Sequence, residues 1–600
     1  MVRQLTAPSE TPVQASSQPI TMQPRKIDSR IALHRAVLLM LITTGLMGLH
    51  VYRLVNLQLL NGQQNRLRAE ENRIRLIPIP SKRGEILDRH NQYLATNKMT
   101  RAVYAWPKEQ TPAGWQVTAG QLSPLLGIPA SEIIDKIEKR GYQTAIPVRL
   151  SQTITPEIFV WLAENTAQFP GLEVQTEFSR TYPHGDLASH VIGYIGEANL
   201  ADLEAHPEYP MGMIIGQLGI EAGADDQIAG VWGARLIEVD GKNKEVRLFG
   251  EKPAQAGKTV NLTLDINLQK TAEQALGNRK GAAVVLNVNT GEVLAMASRP
   301  GFDPNLFTRP ISAETWESLQ QEDNPFLNRT LQGYPPGSTF KIVSSAAGMG
   351  SGQFSPYDAI ATASSITVGN MRFYEHSGGY GVIGFRTALA FSSNTFFYKL
   401  GMAIGADELA KWAARLGIGS TDLNLLGLTE GSNGFVPTPA NKEEIYGEPW
   451  YLGDTVTMSI GQGAVLATPL ELAVMVSSIA NGGKRVQPHL LASLTHTAAT
   501  EPIPTGLSAE AVETIQDGLI SVVQYGTAQL MNDGTIPLTA GKTGTSEVLW
   551  KRSHSLFVAF GPADKPEIGI AVVVEHGGYG SKAAAPVAKQ IFQTYFSQKR

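Results

Sequence analysis

Three short stretches of this chain hold side chains whose types and spacing suit nucleophilic chemistry. The first is Tyr334-Pro335-Pro336-Gly337-Ser338-Thr339-Phe340-Lys341. Two prolines and a glycine end whatever precedes them, and a helix-compatible run rich in Ala, Ser and Val follows. The spacing predicts Ser338 at the first turn of a helix, where free backbone N–H groups and the positive dipole end converge. Lys341, three residues on, falls on the same face one turn away. A serine with an amine beside it at a helix N-terminus is the minimal kit for an activated nucleophile. The bare S-x-x-K spacing is common by chance, so the rest of the chain must decide its meaning.

The second stretch, Ser392-Ser393-Asn394, follows a helical pattern from Val382 to Phe391 and precedes the apolar Thr395 to Leu400. A hydroxyl and an amide two residues apart, on a turn between helices, can face one cleft. The hydroxyl can pass a proton and the amide can hold a substrate carbonyl. The third is Lys542-Thr543-Gly544-Thr545, after Leu538 to Gly541. Gly544 lets a substrate backbone approach the strand closely. Lys542 offers a positive charge to a carboxylate, or raises the local potential that favours a neutral Lys341. Thr543 and Thr545 add hydroxyls, and a backbone N–H here can complete an oxyanion hole. Taken singly, the second stretch reads as a polar helix junction and the third as an exposed strand end.

Positioning three such distant stretches needs a scaffold, and the flanking patterns describe one. Gly281 to Asn287 and Val293 to Ala297 flank Asn289-Thr290-Gly291, a hairpin signal. Leu556 to Phe560 and Ile568 to Val574 repeat it around Gly561 to Asp564, and Ala583 to Tyr595 reads as a closing helix. Strands at both ends with helical patterns between them predict an α+β domain over residues 262–600, one antiparallel sheet covered by helices. Residues 59–261 read as a stalk followed by an extended mixed α/β pedestal without chemistry of its own. In it, Lys82 to Arg89 reads as a structural turn with an Arg–carboxylate brace. Arg180 to Tyr194 and Gly216 to Glu221 form dense clusters, but neither glycine pair opens a phosphate-binding loop. His184 and His190 have no third ligand nearby and read as structural.

Ala36 to Tyr52 contains no Asp, Glu, Lys or Arg and runs into Leu54, Val55, Leu57, Leu59 and Leu60. It lacks both the polar face of a core helix and the small-x-small site of a cleaved signal, so a transmembrane anchor over residues 36–58 is expected. Arg25, Lys26, Arg30 and Arg35 lie on its N-terminal side. They place residues 1–35, a Gln-, Ser-, Pro- and Thr-rich tail read as disordered, in the cytoplasm, and send the rest of the chain across the membrane. The near balance of 50 basic and 54 acidic residues argues against general nucleic-acid binding. The chain has no cysteine, which excludes disulfides, thiolate metal sites and a cysteine nucleophile.

In order, S-x-x-K, S-x-N and K-T-G make the motif trio of penicillin-recognising serine acyltransferases. The flanks Tyr334 to Lys341, Ser459-Ile460-Gly461-Gln462-Gly463 with Ala467-Thr468-Pro469-Leu470, and Tyr525-Gly526-Thr527-Ala528 resemble class B penicillin-binding proteins. So do the pedestal stretches Arg83 to Arg89 and Arg180 to Tyr194. The double proline before Gly337 and Trp450 to Asp454 look most like the elongation-type transpeptidases of that family, with the septal type the near alternative.

The resemblance implies a single-pass inner-membrane enzyme that cross-links peptidoglycan stem peptides outside the membrane, serves cell elongation and shape, and is a β-lactam target. It implies that Ser338 is acylated by the penultimate D-Ala of a donor stem and that a neutral Lys341 takes its proton. Ser392 would relay a proton to the leaving D-Ala, and Asn394 would position the donor amide. Lys542, Thr543 and Thr545 would hold the donor carboxylate beside Gly544, and the N–H groups of Ser338 and Thr545 would form the oxyanion hole. It further implies a separate inner-membrane glycan polymerase and elongation-complex proteins as partners, and no cofactor. Some relatives hold zinc with a Cys ligand; here Asp358, Glu375 and His376 are present without one, so no metal is expected. His90-Asn91-Gln92 and Thr421 to Gly431 depart from the family pattern in loops away from the trio. A β-lactamase-like hydrolase would leave the anchor and pedestal unexplained. A penicillin sensor would need a cytoplasmic signalling domain that residues 1–35 do not supply.

Overall fold

The computed structural model describes residues 29–599, except 62, 64–73, 145–146, 152–153, 208, 211, 240–244, 309–310, 312, 322, 421–422, 424, 426, 429–430 and 432–433. The chain forms two compact units, one of residues 1–77 with 235–250 and one of 78–234 with 251–600. In the first, a helix runs from Ser29 to Val55 and ends in a π-helical turn, Asn56–Leu60. Its segment Leu33–Leu60 is long and apolar enough to cross a membrane. Leu38, Leu39, Met40 and Leu41 are all exposed on it, as side chains facing lipid would be. The helix begins at Ser29, inside the stretch read as a disordered tail. Arg30, His34 and Arg35 are compatible with helix and simply extend it past the apolar segment. The rest of that tail, residues 1–28, lies outside the described residues, as does most of the stalk expected at Asn61 to Arg75. The unit also carries most of a three-stranded sheet ordered Ile74–Ile79, Gly233–Val239, Glu245–Lys252.

The second unit is built on a five-stranded antiparallel sheet. Its strands are β1 (Gly281–Asn287), β2 (Val293–Arg299), β3 (Ala540–Val548), β4 (Lys551–Gly561) and β5 (Ile568–Val574), ordered β2-β1-β5-β4-β3. The predicted hairpins are both present, and β3 forms an edge. Both faces of the sheet are covered, so its inner strands are apolar throughout and not alternating. Ala283, Val285, Phe557, Ile570 and Val572 pack against α1 (Ile266–Leu276) and the closing helix α6 (Ala584–Gln598). Val284, Leu286, Leu556, Val558 and Val573 join the opposite core with Phe340, Val343, Leu472, Val476 and Ile515. That core is shared by α2 (Lys341–Gly350), α3 (Asn394–Ile404), α4 (Pro469–Ala480) and α5 (Ala509–Gln524). Every residue of α4 is buried, which accounts for a helix without a polar face. Its start is fixed by a capping box, Thr468 with Glu471.

Residues 78–234 and 251–261 of the pedestal belong to the same compact unit. Strands Tyr93–Ala105 and Leu172–Thr181 pair along ten residues, and Trp115, Leu122, Ile133 and Ile137 pack two helices onto that sheet. The chain passes toward the five-stranded sheet through strand Val260–Asn261, which pairs with Ile86 and Leu87. The expected brace is a buried ion cluster. Arg83 Nε and Arg180 Nε donate to the two oxygens of Glu221 at 2.6 Å each, and Arg83 also donates to Asp225 at 2.6 Å. Burial pushes the Glu221 carboxyl up, but Arg180 and Arg83 together hold it below its usual range. His190 is buried, its Nε2–H donates to the Pro325 carbonyl at 2.7 Å, and burial holds it neutral, with its pKa lowered to about 4. At His90-Asn91-Gln92, Asn91 adopts φ 62°, and Asp88 accepts from the N–H groups of His90 and Gln92. Asn therefore serves where a glycine turn is usual.

Candidate active site

Ser338 lies in a short 3-10 turn, Gly337–Phe340, and α2 begins at Lys341. The nucleophile candidate thus precedes the α-helix by one tight turn and does not sit within it. Pro335 and Pro336 carry no N–H to extend a helix or strand through this point. Gly337 has φ 53°, and its N–H donates to the Gly461 carbonyl at 2.8 Å. A Cβ at Gly337 would stand 2.5 Å from the Thr545 carbonyl oxygen, and one at Gly544 would stand 3.0 Å from that of Pro336. The two glycines therefore let the serine turn and the edge strand β3 touch backbone to backbone. Ser338 itself is half-buried, and no protein hydrogen bond holds its hydroxyl among the described residues.

The second stretch is a turn between helix Phe385–Ala390 and α3, so the helix expected from Val382 starts later. Val382–Gly384 is instead a short strand paired with Ala359–Ala361. Ser392 takes φ 57°, a conformation that serine adopts only where the surroundings impose it. Ser393 caps α3, accepting from the Phe396 N–H. Glu375 completes the fixture. Its two oxygens accept from the Ser393 hydroxyl at 2.6 Å, the N–H groups of Asn394 and Thr395 at 2.7 and 2.9 Å, and the Thr395 hydroxyl at 2.9 Å. Burial would raise the Glu375 carboxyl, but His376, Ser393, Asn394 and Thr395 hold it well below the usual carboxylate range. The sequence offered Glu375 only as a candidate zinc ligand; here it anchors a turn at the N-terminus of α3. Among the described residues no three His, Cys, Asp or Glu side chains form a group able to hold a metal.

Lys341 and Lys542 converge on this turn. Lys542 pairs with Val558 across β3 and β4, which puts its side chain on the α2 face of the sheet. Both lysines are fully buried. Lys341 Nζ lies 2.6 Å from the Ser392 carbonyl, 3.2 Å from Ser392 Oγ and 2.7 Å from Asn394 Oδ1. Lys542 Nζ lies 2.8 Å from the same Ser392 Oγ and 3.2 Å from the Thr543 carbonyl. Burial lowers the pKa of Lys341 to about 7 against the opposing pull of Glu375. Lys542 is also lowered, by burial first and then by repulsion from Lys341. Thr543 is nearly buried and its hydroxyl shares a 2.6 Å hydrogen bond with Thr527, while Thr545 is half-buried, with its carbonyl accepting from Gln462 at 3.2 Å. All eight sequence-selected residues, Ser338, Lys341, Ser392, Asn394, Lys542, Thr543, Gly544 and Thr545, therefore belong to one site. Glu375, Gln462 and Thr527 were not selected for it. Only the flanking runs 459–463 and 525–528 pointed near two of them.

A cavity of about 340 Å³ lies elsewhere, between His184, Asp186, Lys270, Glu273 and Arg299, and contains none of these residues.

Comparison with known proteins agrees with the geometry. A family model described as the penicillin-binding protein transpeptidase domain matches residues 281–593, and one described as the penicillin-binding protein dimerisation domain matches residues 78–262. The peptidoglycan D,D-transpeptidase MrdA of Acinetobacter baumannii is 33% identical over 586 residues, covering 91% of this chain and 85% of that protein. The protein of the same name from Escherichia coli K12 is 31% identical over 602 residues, covering 94% of each. Among solved structures, the complex between penicillin-binding protein PBP2 and MreC from Helicobacter pylori matches with a TM-score of 0.78 at 27% identity, covering 88% of this chain and 99% of that one. With the motif trio assembled in one site and both family models matched, this chain belongs to the class B penicillin-binding proteins and is a peptidoglycan D,D-transpeptidase.

Proposed function

We propose that Ser338 carries the acyl group in this transpeptidase and that the surrounding side chains act as follows. Neutral Lys341 takes the proton of Ser338 Oγ as the oxygen attacks the carbonyl of the penultimate D-Ala of a donor stem. The backbone N–H groups of Ser338 and Thr545 stabilise the oxyanion, a term worth roughly 3–4 kcal/mol per donor. The C–N bond then breaks, and Ser392 passes a proton to the leaving D-Ala amine. Asn394 holds the donor amide. Thr543 and Thr545 hold the terminal carboxylate, and Lys542 adds its charge through Ser392. An amine from a neighbouring stem attacks the ester, forms the cross-link and returns the proton to Ser338. A β-lactam enters as a mimic of the donor and stalls at the first ester.

The observation that carries this reading is the contact of both lysines with one buried hydroxyl, Ser392 Oγ, beside a lysine whose pKa is lowered to about 7. A base must be neutral to act, and burial supplies that at physiological pH. The positive flank ahead of the membrane-crossing helix supports an N-terminus in the cytoplasm and a catalytic domain in the periplasm. The likeness to PBP2 structures supports action in cell elongation, and a PBP2 solved with MreC supports elongation-complex proteins as partners; a membrane glycan polymerase partner rests on the family resemblance alone. In the full-length chain, Ser338→Ala abolishes labelling by fluorescent penicillin and cross-linking. The acyl-enzyme of the native chain lasts for hours. Labelling that survives the substitution, or turnover of the label within minutes, overturns the reading. A fluorescent fusion at the septum instead of the side wall overturns the assignment to elongation.

A further inference from the structure

Among the described residues the edge strand β3 pairs with β4 alone, so no strand covers its outer edge, although Gln462 donates to the Thr545 carbonyl. The roles proposed above give the donor a direction along it. With the terminal carboxylate at Thr543 and the scissile carbonyl at Thr545, the stem upstream of the scissile bond runs on past Ser546 toward the end of the strand. At about 3.4 Å per residue, the five residues from Thr545 to Trp550 span about 17 Å. The roughly four residues of a pentapeptide stem upstream of the scissile bond span about 14 Å when extended. The next group along the donor is the sugar that bears the stem.

Leu549 and Trp550 stand at that point, 85% and 100% exposed. They form the two-residue turn of the β3–β4 hairpin, since Val548 pairs with Lys551. Such turns favour Asn-Gly and similar pairs because their central residues need positive φ. Here the second position is a tryptophan at φ 61°. Holding a bulky residue in the left-handed region costs about 1–2 kcal/mol. The register is irregular between Ser546 and Val548, where Glu547 of β3 faces two residues of β4, Arg552 and Ser553, as in a bulge beside the tip. The tip therefore departs from turn chemistry and from apolar burial at once, next to the strand that takes the substrate. Local rules broken together in this way point to function.

We propose that the Leu549-Trp550 tip is a docking platform for the sugar-bearing end of the donor strand. The indole face takes the C–H face of the pyranose nearest the stem, and Leu549 packs against the link between sugar and peptide. Aromatic rings combine large contact area with few torsions to freeze, which suits a flat sugar face. The inference rests on the catalytic reading of Ser338 and β3, because that reading sets the direction of the donor.

The test compares two donors on the full-length protein in detergent, a free pentapeptide stem and the same stem on its disaccharide, alongside fluorescent penicillin. Trp550→Asn removes the ring while keeping a residue that accepts positive φ, so the turn is retained. The expected result is that the preference for the sugar-bearing donor over the free stem falls about tenfold, the equivalent of a lost aromatic contact. The change lies in KM and not in kcat, and Trp550→Phe recovers most of it. An unchanged preference in Trp550→Asn overturns the platform, and so does an equal loss for both donors. Failure of penicillin to label the native chain at Ser338 would instead overturn the catalytic reading, and the platform with it.

Discussion

Lys542 Nζ stands 2.8 Å from Ser392 Oγ, joining two residues 150 positions apart in the chain. Lys341 approaches the same oxygen at 3.2 Å. A hydroxyl oxygen can accept from one ammonium while its own proton goes to a neutral amine. Two ammonium ions on one buried hydroxyl would face each other in a dry site with little to offset their repulsion. The cluster is therefore built to hold fewer protons than two free lysines would, and its members titrate as a set.

The first consequence is a pH profile. Lys341 acts as a base only when deprotonated, and burial lowers its pKa to about 7. Penicillin acylation of Ser338 should fall about tenfold per pH unit below that value and level off above it. Second-order labelling rates measured from pH 5 to 9 check this. A rising limb that continues to pH 9 would show an ordinary lysine, and the assignment of Lys341 as the base would fail.

Glu375 ties the Ser392-Ser393-Asn394 turn to α3 and is also the charge that opposes the lowered pKa of Lys341. Glu375→Gln should lower stability by about 2–3 kcal/mol through lost charge-assisted hydrogen bonds. It should also move the acylation limb to lower pH, since the group that favours the charged lysine is gone. The native carboxyl is held well below the ordinary glutamate range, so its contribution to stability is present above that range and is lost as pH falls toward the folded-state value. Thermal melts of both proteins between pH 3 and 7, together with labelling rates, test the two effects separately. An unmoved limb would remove Glu375 from the electrostatics of Lys341.

Gly337→Ala should cost about 1–3 kcal/mol, because alanine is strained at φ 53° and its Cβ would stand 2.5 Å from the Thr545 carbonyl oxygen. The only relief is to move the serine turn off β3. Acylation should therefore slow by at least tenfold even in molecules that remain folded. Labelling at a temperature well below the melting point distinguishes this from unfolding, and a native rate there would mean that the contact is not needed.

Removing Glu221 leaves Arg83 and Arg180 buried without their shared carboxylate. Glu221→Ala should destabilise the chain by about 3–5 kcal/mol, a change read in chemical denaturation. Penicillin labelling of the surviving folded fraction should keep its native rate, because the cluster lies in the pedestal and touches none of the serine-site residues. A slowed rate in folded molecules would instead reveal coupling between pedestal and active site.

Much of this protein was legible in the sequence. Ser338 with Lys341, Ser392 with Asn394, and Lys542 with its threonines are short-range patterns, and their order along the chain resembled one family strongly enough to forecast a shared cleft. Hairpin and helix periodicities gave the strands of the sheet and the closing helix, because burial on a sheet face or a helix stripe leaves a regular mark on residue order. Helix ends were less legible. The membrane-crossing helix starts before its apolar segment, and the helix before Ser392 starts after Val382, because the ends depend on charges and caps more than on hydrophobic period.

Tertiary structure alone decided how the site works. Nothing local says that Glu375 closes the Ser392 turn or that Gln462 reaches the Thr545 carbonyl, since these contacts join distant stretches with no periodicity to betray them. The same holds for the protonation of the lysines. Residue order gives an ordinary amine at 341 and at 542. Burial of both against one hydroxyl, achieved only when β3 packs against the serine turn and α5, removes the water that would keep both charged at once.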